Sequence, residues 1–208
     1  TIETVPLFRS MLLISYMHLP AACAAVYVGQ LNRGTTMRDN VISTFLWVGF
    51  IGFLLYHLVP VVGPTYFFRG DFPAEAPPAD AMKAIRYLAI PEYRNCFPSL
   101  HTAWVLVVAL YAHRLGTIQK VMGWTFAGLT LVATIGLGLH YIIDLIAALP
   151  LVLFIRATKL GGGARGRLML GSSVLFFMWV LAVYYGATFL ESTPLVTWLF
   201  SGVTMAFF

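Results

Sequence analysis

The sequence predicts an all-α protein, a polytopic bundle of about six transmembrane helices. Three observations predict it. Of its 208 residues, 60% are hydrophobic and only 10% are charged, against about 25% charged in an ordinary soluble domain. The mean hydropathy is +0.84. The apolar residues are gathered into runs of about twenty, the length that crosses a bilayer. A soluble fold of this size has too little interior to hide so much apolar surface.

The runs fall in order at about 8–29, 41–62, 100–115, 121–139, 141–158 and 167–190, with 195–208 as a shortened seventh. The first carries His18-Leu19-Pro20 in its middle. The fifth follows the fourth almost without a loop. The whole chain, 1–208, reads as a single membrane domain. It does not begin with Met and stops without a polar tail, so it reads as a processed protein or an excised part of a longer one. No repeat at a fixed period is present, and GGGARGR at 161–167 reads as a flexible basic connector. The longest loop, about 63–98, contains six prolines and does not read as one long helix. Within it, ADAMKAIRYLAI at 79–90 has the spacing of a short helix lying on the membrane surface.

Charge assigns the faces. Threaded alternately, loops 30–40, 113–120 and 156–167 share one side, with Arg33, Arg38, Arg114, Lys120, Arg156, Lys159, Arg165 and Arg167 against a single acid, Asp39. Loop 63–98 on the other side is balanced, with four cations and four acids. The positive-inside rule places the basic side in the cytoplasm. The long loop and the joint at His140 then face the periplasm, cell exterior or an organelle lumen. The net charge of +5 thus reflects helix orientation and not a nucleic-acid partner. Cys23 and Cys96 show no metal-ligand spacing, and both read as packing residues.

Ionisable groups at membrane depth read as functional by default. In GLGLHYIIDLIAALP, 136–150, His140 and Asp144 stand four apart and would share one helix face. The carboxylate can take a hydrogen bond from one imidazole nitrogen and leave the other as nucleophile or base. The competing reading is a His–Asp pair serving as interhelical glue. In FPSLHTAW, 97–104, Ser99 can cap a helix in whose first turn His101 sits. Free N–H groups at such a helix start suit phosphate. One histidine could attack phosphorus while the other protonates the leaving oxygen. Arg94, Lys83, Arg86 and Arg69 could neutralise phosphate charge, with Arg94 favoured by its nearness to the motif. Trp104 could touch an acyl chain. His18, His57 and His113 read as helix or loop contacts.

Pro98-Ser99-Leu100-His101 and His140-Tyr141-Ile142-Ile143-Asp144, in this order and setting, resemble the type 2 phosphatidic acid phosphatase superfamily. FPSLH, HYxxD and YHLVPVVGPTYF at 56–67 look more like the branch containing inositol phosphorylceramide synthase. The resemblance covers about residues 45–155. It implies that His140 forms a phosphohistidine, that Asp144 orients and activates it, and that His101 is the general acid. It further implies that Ser99 and the backbone at Leu100 hold phosphate oxygens, with no metal or other cofactor. The substrate would be a membrane lipid: a phospholipid, sphingolipid or isoprenoid phosphate. Two of the family's patterns are absent. Lys83-x-x-Arg86 lacks the spacing of Lys-x6-Arg-Pro, and Ala133 and Thr134 stand where Ser-Arg is expected. Fewer matched cations favour a diester or a less charged substrate. The expectation is an enzyme that transfers a phospho-headgroup to a hydroxyl acceptor, with hydrolysis to a lipid phosphatase product as the alternative. A proton-coupled transporter and a non-catalytic scaffold are the readings from other classes.

Overall fold

The computed structural model describes residues 5–34, 39–68 and 94–208. Among these residues the fold is all-α, with no strand and a single bridge between Val61 and Asn95. The helices run α1 (Pro6–Met17), α2 (Leu19–Leu31), α3 (Val41–Leu58), α4 (Pro64–Phe68), α5 (Leu100–Ala112), α6 (Thr117–Gly136), α7 (Ile142–Ala157), α8 (Gly162–Tyr185), α9 (Ala187–Ser192) and α10 (Pro194–Phe207).

Local chemistry explains most of the ends. Proline opens α1 and α10, where its missing N–H has no helical partner to lose. Asn40 caps α3, its Oδ1 accepting the Ser43 N–H at 2.7 Å. Ser99 caps α5 as the sequence predicts, accepting the Thr102 N–H at 3.3 Å. The expected first span is in fact two helices, α1 and α2, bent by 60° at His18. Pro20 lies in the first turn of α2, where it cannot donate back to α1. The His18 ring instead contacts the Ile14 carbonyl at 2.9 Å.

Among the described residues, fewer than six helices have the full length of a span. Among the described residues three helical segments are long and apolar enough to cross a bilayer: α3, α6 and Arg165–Tyr185 of α8. The bent α1–α2 pair makes a fourth if counted as one span. The other predicted runs are helical but short. The turn after α5 includes Gly116 at φ 146°, and α7 cannot begin until the chain has turned at Gly138, φ 72°. These are membrane-type helices nonetheless. Leu46, Phe50 and Phe53 of α3, and Leu170, Phe177 and Leu181 of α8, are exposed. Rows of this kind are what a lipid-facing surface presents.

Helix α5 is the centre of the bundle and packs against α2, α3, α6 and α7. Ala103, Val105, Val107 and Ala109 are fully buried along it. Trp104 is half-buried against α3, stacked on Phe45 with its Nε1 donating to the Phe45 carbonyl at 2.9 Å. It is therefore a packing residue. Behind α7, the fully buried Trp179 of α8 donates to Thr204 of α10 at 3.0 Å.

The two ends of the bundle differ. At one, the basic loops converge. Arg33 donates to the Arg114 carbonyl at 3.0 Å, Arg114 pairs with Asp39 at 3.0 Å, and Lys159 donates to Ser43 at 3.1 Å. At the other end, residues 59–65, 95–99 and 137–141 meet, and both sequence motifs lie there.

Candidate active site

Helix α6 ends in a left-handed turn at Gly138. The N–H groups of Leu139 and His140 both return to the Thr134 carbonyl, at 3.2 and 3.3 Å. Thr65, at the start of α4, clasps this turn from outside. Its N–H and hydroxyl both donate to the Gly138 carbonyl, at 2.8 and 2.7 Å. His140 thus sits in a tight turn two residues before α7, not on the helix itself as its spacing to Asp144 predicts. The turn still brings the pair together, with Nδ1 3.7 Å from the Asp144 Oδ2. Both side chains are buried, His140 at 6% exposure and Asp144 at 2%.

That 3.7 Å is an ion-pair distance, too long for a hydrogen bond. Nδ1 lies 2.7 Å from the backbone carbonyl of Cys96 instead. A carbonyl can only accept, so Nδ1 carries a proton, and in the neutral ring Nε2 then keeps its lone pair. The expected tautomer is present, but its partner is main chain from the other motif's loop. Asp144 Oδ2 is occupied by two donors, the Tyr141 N–H at 2.7 Å and the Cys96 thiol at 2.8 Å. Burial, and then the adjacent Asp144 carboxylate, push the Cys96 thiol far above its ordinary range, so it remains a donor.

The two motifs are also joined directly. The Ser99 N–H donates to the Asp144 carbonyl at 3.0 Å, tying the start of α5 to the first turn of α7. Ser99 is fully buried, and its Oγ accepts from the Thr102 hydroxyl at 3.0 Å as well as from the Thr102 N–H. Leu100 is buried against Gly52 of α3. His101, partly buried, stacks on Tyr16 of α1 with centroids 3.8 Å apart and the planes at 14°, and Trp104 meets its ring edge-on at 5.9 Å. His101 and His140 lie within electrostatic range of each other.

Arg94 is exposed, two residues before Cys96. Lys83 and Arg86 lie outside the described residues, as do Arg69 and the segment 79–90. His57 faces outward, its ring on the Phe53 carbonyl at 2.9 Å, and His113 accepts from Trp124 at 3.4 Å. Ala133 and Thr134 are fully buried, Ala133 packed against Leu12 and Leu137 and Thr134 donating its hydroxyl to the Thr130 carbonyl at 2.6 Å. The residue the sequence reading missed is Cys96. Its place immediately before the FPSLH motif is the sequence signal for its contacts with Asp144 and His140.

Cys96, His140 and Asp144 present ligand-type atoms within 4.8 Å of one another. Nδ1, Sγ and Oδ2 are engaged in the bonds just described, while His140 Nε2 takes part in none of them. Beside the trio, a cavity of about 260 Å³ is lined by Val61, Tyr141, Ile143, Asp144, Val183, Leu190 and Glu191.

Gly63 tightens this end of the bundle. A β-carbon there would stand 2.8 Å from the Leu139 carbonyl oxygen. Only backbone adjoining His140 could yield, so Gly63→Ala should cost about 1–3 kcal/mol. It should lower both the melting temperature and turnover. Wild-type values for both would show that the turn is not held from this side.

An apolar helical bundle with three or four helices able to cross a bilayer is the class of an integral membrane protein, and here it carries buried His140 and Asp144 at one end. The chain belongs to the PAP2 superfamily, whose profile matches residues 1–158. The match takes in α1, which supplies Tyr16. No curated protein and no solved structure matches significantly. Membership suggests lipid phosphatase or phosphotransferase activity on a lipid phosphate in a membrane.

Proposed function

We propose that the protein transfers a phospho-headgroup from a membrane lipid to a hydroxyl acceptor through a phosphohistidine on His140. The observation that carries this reading is the Nδ1–carbonyl bond of His140, which leaves Nε2 with a free lone pair in a buried setting. In the first half-reaction Nε2 attacks phosphorus and the bond to the leaving oxygen breaks. His101 supplies the proton that oxygen needs. The phosphorylated imidazole, cationic while Nδ1 keeps its proton, is stabilised by the Asp144 carboxylate 3.7 Å away. In the second half, an acceptor hydroxyl attacks phosphorus, His101 takes its proton, and His140 is released. Ser99, the Leu100 backbone and Arg94 are assigned to the phosphate oxygens, with Lys83 and Arg86 as further candidates.

Two features favour an alcohol over water as acceptor. The position of one family arginine is held by Thr134, fully buried with its hydroxyl donating to the Thr130 carbonyl, which suits a less charged phosphodiester. The cavity beside Asp144 has walls from α8 and α9, beyond the family match, and Glu191 at its edge can accept from a hydroxyl. This is the behaviour of the inositol phosphorylceramide synthase branch that the FPSLH and HYxxD wording resembles. The site is assigned to the periplasmic, extracellular or lumenal face, opposite the basic loops.

The test is a panel of labelled lipid phosphates and phosphodiesters, with and without hydroxyl-bearing lipid acceptors. A new phospholipid that forms only when acceptor is present is the expected product. Release of free phosphate without acceptor would instead make the protein a phosphatase.

A further inference from the structure

We propose that Cys96 is a positioning residue that sets the basicity of His140: its carbonyl fixes the ring and its thiol keeps Asp144 from bonding that ring directly. The proposal rests on the reading of His140 as nucleophile.

The geometry is specific. Asp144 Oδ2 and the Cys96 carbonyl oxygen compete for one proton, the hydrogen on His140 Nδ1. The carbonyl holds it at 2.7 Å and the carboxylate stands back at 3.7 Å. The carboxylate stands back because Oδ2 is taken by the Tyr141 N–H and the Cys96 S–H. A direct carboxylate–imidazole bond would favour the protonated ring, and a protonated ring has no lone pair with which to attack. The thiol therefore keeps the carboxylate off the ring proton. The carboxylate's charge stays close enough to favour the cationic phosphohistidine once it forms. One residue serves both ends of the pair, through main chain and side chain.

The other titratable groups around His140 come from every neighbouring element. They are Tyr16 of α1, Tyr56 of α3, His101 of α5 and Tyr141 before α7, with Glu191 on the cavity beside Asp144. None of these hydrogen-bonds the Asp144 carboxylate through its side chain among the described contacts. The Cys96 sulfur also lies 3.5 Å from His140 Nδ1 and 3.5 Å from the Leu139 carbonyl, longer contacts that the serine variant can keep.

The test uses the full chain with labelled histidine, reconstituted in lipid nanodiscs, and follows the His140 ring by nitrogen NMR against pH. His140→Ala assigns the signal. In Cys96→Ala the carboxylate can swing onto Nδ1, and the His140 titration should move up by about one pH unit. Cys96→Ser keeps a donor and should leave it within a few tenths of a unit. Cys96→Val removes the donor without opening a cavity, and should match the alanine variant even where alanine folds poorly. With dioctanoyl phosphatidic acid or another panel substrate, the acidic limb of kcat/KM should shift by the same amount. An unmoved titration in both Ala and Val variants, or an equal shift in Ser, overturns the proposal. Wild-type turnover and acid-labile labelling in His140→Ala would instead overturn the nucleophile assignment, whatever the cysteine variants show.

Discussion

His140→Ala is expected to lower lipid turnover by at least about 10⁴-fold, the scale on which removing a nucleophile acts. The covalent phosphate should vanish with it. Wild-type protein quenched in alkali during turnover should carry phosphate that acid releases, and the variant should carry none. Two measurements are needed because Nδ1 also bonds the Cys96 carbonyl, so alanine removes a structural contact as well. A melting temperature within a few degrees of wild type, with label absent, assigns the loss to chemistry. The same variant separates the classes of function. A transporter would lose flux without ever having formed the label, and a scaffold would lose neither.

The second large effect is on the leaving group. His101→Ala should reduce turnover of an alkyl lipid ester by about 10²–10⁴-fold, the usual range for general acid catalysis. An aryl phosphate, whose phenolate leaves without a proton, should be affected far less. That contrast is the measurement, because a structural defect would slow both substrates alike. Structural effects are a real alternative here. The His101 ring stacks on Tyr16 and meets Trp104 edge-on, and alanine removes both contacts. Equal losses on both substrates would remove His101 from the acid's role and leave it as packing between α1 and α5.

Much of this arrangement was legible before the fold. The basic loops meet at one end through Arg33, Asp39, Arg114 and Lys159, as their charge pattern required. Pro-Ser-x-His opens α5 because serine caps and proline limits the approach, both local effects. What stayed hidden belongs to the main chain. The Cys96 carbonyl that holds His140 is an acceptor every residue possesses, so no spacing rule could select it. The position of His140 in a turn depends on Gly138 at φ 72° and on Thr65, which is 75 residues away in sequence. The shortness of α5 was equally obscure, since its apolar run looks like any other and only the cap at one end and the turn at the other limit it.

That shortness has a consequence for the membrane. Thirteen residues at 1.5 Å each make α5 about 20 Å long, whereas the hydrocarbon layer is about 30 Å thick. On the proposed assignment, an upright α5 with its far end at the other membrane face would put Ser99 and His101 roughly 10 Å inside the nearer hydrocarbon boundary. A phosphate must sink to meet them, or the bilayer must pinch. On that assignment bilayer thickness should set the rate, with turnover expected to rise in short-chain or thinned membranes.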